Sequence, residues 1–262
     1  MGEHWELYLR KAEGVSPQAL KETINITDAV EFSRERLGFI PDAQQEMVLR
    51  GGRRGIVNCT RQWGKSTVTA AKAVHRAYSA PGSLTLVVTP SARQSGEFLR
   101  KAEEFVRRLG IKVRGDGDNE ISIAFPNGSR IVGLPGNEAT ARGYTASLLL
   151  IDEAARVDDR LYRTMRPSLA ATNGDLWLMS TPYGKRGFFW EEWEHGGPEW
   201  ERISVPATEC SRISAELLAE ESAKGDETFR REYLCEFGEM EGAFFSRESI
   251  DAMLQDFEAL SL

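Results

Sequence analysis

The segment from Cys59 to Ser66, which reads Cys-Thr-Arg-Gln-Trp-Gly-Lys-Ser, constrains the fold of this chain more than any other. It lies between a short apolar run, residues 55–58, and a helical pattern, residues 67–78. A strand, loop and helix in this order can surround a polyphosphate with backbone N–H groups at a helix N-terminus. The lysine then contacts the outer phosphates and the following hydroxyl contacts Mg²⁺. Cys59 replaces the glycine that usually begins such a loop, so the interpretation needs a second signal.

The second signal is a pair of carboxylates, Asp152 and Glu153, directly after the apolar run at residues 148–151. Such a run predicts a strand buried on both faces, and ligands of open α/β sheets bind beyond the carboxyl ends of strands. Asp152 could therefore hold the Mg²⁺ of a bound nucleotide, and Glu153 could deprotonate the attacking water. The alternative is that both acids only cap the helix that follows. Their occurrence with Lys65 and Ser66 favours the nucleotide site.

Periodicity beyond these motifs predicts an α/β fold. Strands are predicted at residues 56–59, 84–89, 148–151 and 175–180, and helices at residues 65–78, 91–109, 159–170, 187–194, 215–224 and 227–237. Asn127-Gly128, between strand patterns at residues 121–125 and 130–134, predicts an antiparallel hairpin. Alternating strands and helices predict a mostly parallel sheet with helices on both faces, the P-loop NTPase architecture. The first forty residues are predicted to be helical.

Composition excludes several classes of protein. The chain has 262 residues, 41% hydrophobic and 28% charged, which suits one α/β domain with peripheral additions. Its apolar runs are too short to cross a bilayer, and its acidic N-terminus is unlike a signal peptide. Three scattered cysteines and three scattered histidines predict neither disulfides, structural zinc nor a hydrolytic triad. The net charge of −7 argues against binding nucleic acid through the overall field, but not against a local contact.

The assembled motifs resemble the ATPase half of large terminase subunits, the motors that package double-stranded DNA into the proheads of tailed viruses. The resemblance covers about residues 39–245 and includes a Pro41-to-Gln45 adenine segment, an Arg-Gln-x-Gly-Lys loop and the Arg142-Gly143 segment before the acids. In this family the first glycine of the loop is often missing. An acid directly after Asp152 also resembles the RecA-like branch of P-loop NTPases, which carries its catalytic glutamate on the acid strand.

The resemblance implies a role for each matching residue. Glu153, Lys65, Arg142 and Arg61 are the expected catalytic residues, with Arg142 and Arg61 competing for the role of arginine finger. Ser66 and Asp152 are expected to hold Mg²⁺. The segment Ser180-Thr181-Pro182 resembles the coupling motif that senses the γ-phosphate. The expected nucleotide-binding residues are Gln45, Thr60, Arg61, Gln62, Trp63, Gly64, Lys65, Ser66 and Thr67.

The resemblance further implies an ATP- and Mg²⁺-dependent packaging motor that acts in the host cytoplasm at the prohead portal and is not secreted. Its expected partners are double-stranded DNA, the portal, the small terminase subunit and further copies of the chain in a ring, with a monomer expected in isolation. Arg100, Lys101 and Arg130 are candidates for DNA phosphate contacts. The predicted organisation is a helical extension over residues 1–40, an ATPase core over residues 41–210, and a helical lid and linker over residues 211–262.

Three other interpretations stay open at this stage. A helicase-like, DNA-stimulated ATPase would need a second RecA-like core, and too few residues follow Ser204 for one. A nucleotide-binding switch would bind ATP with negligible turnover. An interaction protein would carry the loop as a vestige. The family normally continues into a nuclease domain, which is not expected within these 262 residues, so nuclease activity is not expected either.

Overall fold

The computed structural model describes residues 28–136, 143–224 and 227–238 of the chain. Their centre is a seven-stranded sheet with the strand order β3-β4-β2-β5-β6-β1-β7. Neighbouring strands from β4 to β7 in this order are parallel to each other, and β3 pairs antiparallel with β4 at the edge. The strands are β1 Arg54–Cys59, β2 Leu84–Thr89, β3 Ser122–Ala124, β4 Arg130–Pro135, β5 Leu148–Asp152, β6 Asp175–Ser180 and β7 Glu201–Val205.

Helices cover both faces of the sheet, and side chains cap many of their N-termini. Asp28, Ser91, Asp158 and Ser214 each accept a backbone N–H in the first turn of the helix that follows, which satisfies donors that otherwise have no partner. The helices are α1 Ala29–Glu35, α2 Ala43–Arg50, α3 Lys65–Ser79, α4 Ala92–Arg108, α5 Asp159–Met165, α6 Gly187–His195, α7 Ala215–Ala223 and α8 Glu227–Glu232.

The central strands are buried on both faces because successive side chains point to opposite sides of a strand. In β5, Leu148 and Leu150 belong to the core shared with α3 and α4, whereas Leu149 and Ile151 belong to the core shared with α5 and α6. All four are fully buried. This arrangement explains why the strand reads as a continuous apolar run rather than an alternating one.

Strand order determines which motifs meet at the carboxyl edge of the sheet. Strand β6 lies between β1, which leads into the Lys65 loop, and β5, which ends at Asp152. In the paired register Asn58 lies opposite Ser180, and Asp152 lies opposite Met179. The loop, the two acids and the Ser180-Thr181-Pro182 segment are therefore neighbours across three adjacent strands.

Glycine at position 55 is required by a close approach within the sheet. A Cβ atom placed on Gly55 would lie 2.4 Å from ring atoms of Trp177 on the neighbouring strand β6. Trp177 is fully buried and donates its indole N–H to the carbonyl of Gly52 at 3.1 Å. The ring therefore occupies the space of a side chain on β1.

The strands β2 and β6 and the hairpin of β3 with β4 confirm the predictions, but some helix boundaries were wrong. The helix predicted over residues 159–170 ends at Met165 and continues as a 3₁₀ turn, Arg166–Leu169, because Pro167 lacks an N–H and cannot continue an α-helix. The helix predicted over residues 227–237 ends at Glu232. Strand β7 and helix α2 were missed.

The prediction of a helical N-terminus mostly concerns residues 1–27, which lie outside the described residues. Within the described part of that region, α1 is helical and residues 38–42 are not. In the described parts of the chain, no helix combines the length and apolar character needed to cross a bilayer.

Candidate nucleotide site

The loop between β1 and α3 has the backbone geometry of a phosphate-binding turn. Gln62 and Gly64 both adopt positive φ angles, 63° and 100°, and Gly64 is the N-cap residue of α3. Glycine adopts this conformation without a steric cost, and it has no side chain with which to cap the helix. The N-cap residue therefore accepts no hydrogen bond through a side chain from the first N–H groups of α3. These groups lie at the helix N-terminus, which attracts anions.

Contacts from distant parts of the chain hold this loop in place. The buried Trp63 has a carbonyl that accepts hydrogen bonds from Gln45 Nε2 at 3.1 Å and Arg212 Nη1 at 2.7 Å. Thr60 donates its hydroxyl to the carbonyl of Glu232 at 2.9 Å and its N–H to the carbonyl of Val205 at 2.9 Å. The loop is thus attached to α2, to β7 and to α8.

Gln45, the expected adenine-binding residue, is fully buried beside the loop. Its Oε1 accepts the N–H of Asp42 at 3.0 Å, which completes a capping box at the start of α2. Both ends of its amide therefore have protein partners, so the observed contacts of Gln45 position the loop, while its contact with a base stays a prediction.

Asp152 and Ser66 meet directly at the end of β5. The Ser66 hydroxyl donates to Asp152 Oδ2 at 2.8 Å. Burial raises the pKa of Asp152, while the charge of Lys65 and the hydrogen bond from Ser66 act in the opposite direction. A hydroxyl and a carboxylate are hard oxygen donors, and Mg²⁺ is commonly bound by one or two such groups together with substrate phosphates. These two residues fit the predicted metal.

The described residues contain no group of three or more His, Cys, Asp or Glu side chains that could hold a metal ion by itself. A site with few protein ligands suits Mg²⁺, which usually keeps several waters and takes further ligands from the substrate.

Glu153 occupies a strained backbone position and is bound at both carboxylate oxygens. Its φ of 53° lies in the left-handed region, which non-glycine residues adopt rarely and often at functional sites. Its Oε1 lies 2.5 Å from Lys65 Nζ, and its Oε2 accepts from Arg156 Nη1 at 3.0 Å. Burial would lower the pKa of Lys65, but the charges of Asp152 and Glu153 outweigh burial and raise it. Lys65 therefore stays charged.

The segment after β6 adds a hydroxyl to this arrangement. Thr181 is buried, and its Oγ1 accepts from the same Arg156 Nη1 at 3.0 Å. Ser180 is also fully buried, and its hydroxyl has no hydrogen-bond partner among the described residues. Pro182 follows and is buried as well. The predicted coupling segment therefore lies next to the acid pair.

Helix α8 of the predicted lid contributes a buried carboxylate, Glu232. Its Oε2 accepts from Arg61 Nε at 2.6 Å, and its Oε1 accepts from Arg156 Nη2 at 3.3 Å. Arg61, one of the two candidate arginine fingers, thus contacts α8. Arg142, the other candidate, lies outside the described residues.

The three DNA-contact candidates lie on α4 and β4. Arg100 pairs with Glu97 at 2.6 Å, Arg130 pairs with the buried Asp116 at 3.2 Å, and Lys101 is half-buried. Two of the three are therefore engaged by acids of the same chain, and their contact with DNA stays a prediction.

Comparison with known proteins agrees with this geometry. A family model described as "Terminase large subunit, T4likevirus-type, N-terminal" matches residues 56–252. The chain belongs to this terminase family. The large terminase subunit of Thermus phage G20c is 25% identical over 179 residues, which make up 59% of this chain and 36% of that protein. The tRNA(Met) cytidine acetyltransferase TmcA of Haloferax volcanii is 32% identical over 113 residues, 43% of this chain and 15% of that protein.

Solved terminases share the fold. The large terminase ATPase domain of Thermus phage P74-26 matches with a TM-score of 0.70 and 22% identity over 79% of this chain and 97% of that domain. The HK97 bacteriophage large terminase matches with a TM-score of 0.67 and 14% identity over 80% of this chain and 55% of that chain. These matches confirm the predicted α/β P-loop fold. This terminase chain spans about a third of the length of its curated terminase relatives.

Sequence reasoning missed three residues that contact the candidate nucleotide site: Arg156, Arg212 and Glu232. Arg156 ends a 3₁₀ turn, and its guanidinium group donates to Glu153. Its spacing of three residues from Glu153 was an available signal. Arg212 and Glu232 contact the loop from 149 and 171 residues away, so local sequence gives no sign of them.

Proposed function

We propose that this chain is the ATP-hydrolysing motor domain of a large terminase, which drives double-stranded viral DNA into a prohead. The observation that carries this proposal is the convergence of Lys65, Ser66, Asp152 and Glu153 at the carboxyl edge of the sheet. Sequence separates the first two residues from the last two by more than eighty positions, yet their side chains are in direct contact. The bacteriophage D6E large terminase, which has the same fold, has been solved with ATP-γ-S.

In the proposed reaction, Lys65 and the first N–H groups of α3 bind the phosphates of ATP. Ser66 and Asp152 hold Mg²⁺, which neutralises charge on the phosphate oxygens when bound. Glu153 orients the attacking water and accepts its proton. Phosphoryl transfer requires little covalent chemistry from the protein, so positioning and charge neutralisation lower most of the barrier.

Residues around Glu153 could couple ATP hydrolysis to movement of other parts of the chain. Thr181 and Glu232 both contact Arg156, so the proposed coupling segment and the proposed lid are each one side chain away from Glu153.

Arg142 is proposed as an arginine finger, which can accelerate phosphoryl transfer by about 10³- to 10⁵-fold. The lid and linker over residues 211–262, the core over residues 41–210 and the extension over residues 1–40 are the proposed divisions of the chain.

The proposed partners follow from packaging. They are double-stranded DNA, the portal of the prohead, the small terminase subunit and further copies of this chain in a ring. Arg100, Lys101 and Arg130 are proposed to hold the DNA through its phosphates. The proposed location is the host cytoplasm. The proposed chemistry of this chain does not include nuclease activity.

A turnover assay tests the enzymatic part of this proposal. We expect Mg²⁺-dependent release of phosphate from ATP, and we expect the variant Glu153→Gln to bind an ATP analogue like the unaltered chain while losing turnover by at least about 100-fold. Glu104→Gln, an exposed glutamate on α4, is the matched control and should keep full turnover. Analogue binding without turnover in the unaltered chain would indicate a nucleotide switch instead.

A second assay tests the motor part. DNA should become resistant to nuclease only when ATP, portal-bearing proheads and the unaltered chain are all present. Strand separation by the chain in the absence of proheads would favour a helicase-like ATPase.

A further inference from the structure

Arg156 makes four contacts that fix the plane of its guanidinium group. Its Nη1 donates to Glu153 Oε2 and to Thr181 Oγ1, both at 3.0 Å, and its Nη2 donates to Glu232 Oε1 at 3.3 Å. The guanidinium also lies over the ring of Tyr183, 5.4 Å from its centroid. A guanidinium group that donates several hydrogen bonds and has an aromatic ring against one face has little freedom to reorient.

The two carboxylate oxygens of Glu153 have different partners. Oε1 faces Lys65 of the phosphate loop, and Oε2 faces Arg156. Lys65 is the first residue of α3, whose N-terminus would face the phosphates of a bound nucleotide. A triphosphate carries more negative charge than Glu153, so it would attract Lys65 away from the carboxylate. Arg156 is not part of the loop and would keep its contacts with Thr181, Glu232 and Tyr183. Nucleotide binding would therefore release Oε1 and leave Oε2 held.

We propose that Arg156 is a positioning residue for ATP hydrolysis. It holds Oε2 of Glu153 so that Oε1 is presented to the attacking water, and it relates this orientation to the coupling segment and to the lid. The proposal rests on the role of Glu153 proposed above. The two oxygens of Glu153 then have different roles: Oε2 is held by Arg156, and Oε1 accepts the proton of water.

A purely structural role for Arg156 makes a different prediction. Glu232 is also paired with Arg61 and lies 3.5 Å from Arg231, so in this alternative Arg156 serves only as a third cation for a buried carboxylate. Loss of Arg156 would then loosen the lid and lower stability and nucleotide affinity together. Loss of a positioning residue would lower kcat without a comparable loss of affinity, because only the orientation of the base is affected.

The test compares Arg156→Ala, Arg156→Lys and the control Arg186→Ala. Arg186 also lies over Tyr183, with its guanidinium carbon 5.1 Å from the ring centroid, but Arg186 is exposed. The measurements are kcat and KM for ATP, the Kd of a fluorescent ATP analogue, and the melting temperature.

We expect Arg156→Ala to lower kcat by about 10- to 100-fold while the analogue Kd stays within about threefold of the unaltered chain. Millimolar guanidinium ion should restore part of the lost turnover. Arg156→Lys should retain more turnover than Arg156→Ala, since it keeps the charge but lacks the planar fork that spreads the donors of arginine. Arg186→Ala should match the unaltered chain.

Two results would overturn this proposal. One is a kcat for Arg156→Ala within about twofold of the unaltered chain; the other is a fall in kcat matched by the analogue affinity and not restored by guanidinium. Failure of the proposed function looks different. It would show as no turnover by the unaltered chain, or full turnover by Glu153→Gln, and the role of Arg156 would fall with it.

Discussion

Lys65 Nζ lies 2.5 Å from Glu153 Oε1, which joins the first residue of α3 to the acid that follows β5. Both side chains are largely buried, with 13% and 21% of their surfaces exposed. The ion pair therefore brings the two predicted halves of the site together across strand β6.

This ion pair should contribute measurable coupling energy. Because the pair is partly shielded from water, we expect a double-mutant cycle of Lys65→Met and Glu153→Gln to give a coupling of about 1–3 kcal/mol in urea unfolding. The exposed pair of Arg107 with Glu103, at 2.8 Å, is the matched control and should give below about 1 kcal/mol. Equal coupling energies in the two cycles would contradict the expectation.

Lys72 should make stability depend on pH in the alkaline range. Burial lowers the pKa of Lys72 to about 8, with Arg76 acting in the same direction and Asp175 opposing it. The unfolded chain therefore binds more protons between about pH 8 and pH 10.5, so stability should rise with pH across this window, by ~3 kcal/mol in total.

The measurement is the free energy of unfolding in urea at several pH values, taken as the difference between the unaltered chain and Lys72→Met. Lys72 Nζ also donates to the carbonyl of Val48 at 2.8 Å, so the variant should be less stable when the lysine is neutral. Lys112→Met, an exposed lysine, is the control and should show a flat difference. A flat difference for Lys72→Met would contradict a lowered pKa of Lys72 in the folded chain.

Gly55→Ala should destabilise the fold. The new Cβ would lie 2.4 Å from the ring of Trp177, which is fully buried and cannot move without disturbing β6. Overpacking of this kind costs about 1–3 kcal/mol. Gly52→Ala is the matched control, because no atom lies within 4 Å of its added Cβ. Thermal unfolding of both variants checks the expectation, which fails if the two melting temperatures agree.

Glu232→Gln should loosen the attachment of α8 to the loop. The substitution keeps the shape of the side chain but removes the charge that faces Arg61 and Arg156. We expect amide hydrogen exchange in residues 227–238 to accelerate by about tenfold, equivalent to ~1.4 kcal/mol. Glu236→Gln breaks the exposed pair with Arg230 and should leave exchange elsewhere in α8 unchanged. Equal protection in both variants would show that Glu232 does not secure the helix.

Sequence predicted the strands that form the middle of the sheet because their signals are local. Strands β2 and β6 begin and end at the predicted residues, since each is a short apolar run buried on both faces. The edge strand β7 was not predicted, because only Ile203 and Val205 of its five side chains are buried in the core. Helix α2 was missed for a similar reason, as its buried side chains are few and one of them is the polar Gln45.

Sequence by itself determined the chemistry available to the site: a phosphate loop ending in Lys65 and Ser66, and two carboxylates after a buried strand. Residue types and short spacings carry that information. Tertiary structure decided which groups those side chains contact, placing Lys65 beside Glu153 and Arg61 beside Glu232 of α8. The physical reason is that strand order and the return of α8 to the loop bring together residues more than 170 positions apart, and hydrophobic periodicity carries no information about contacts at such separations.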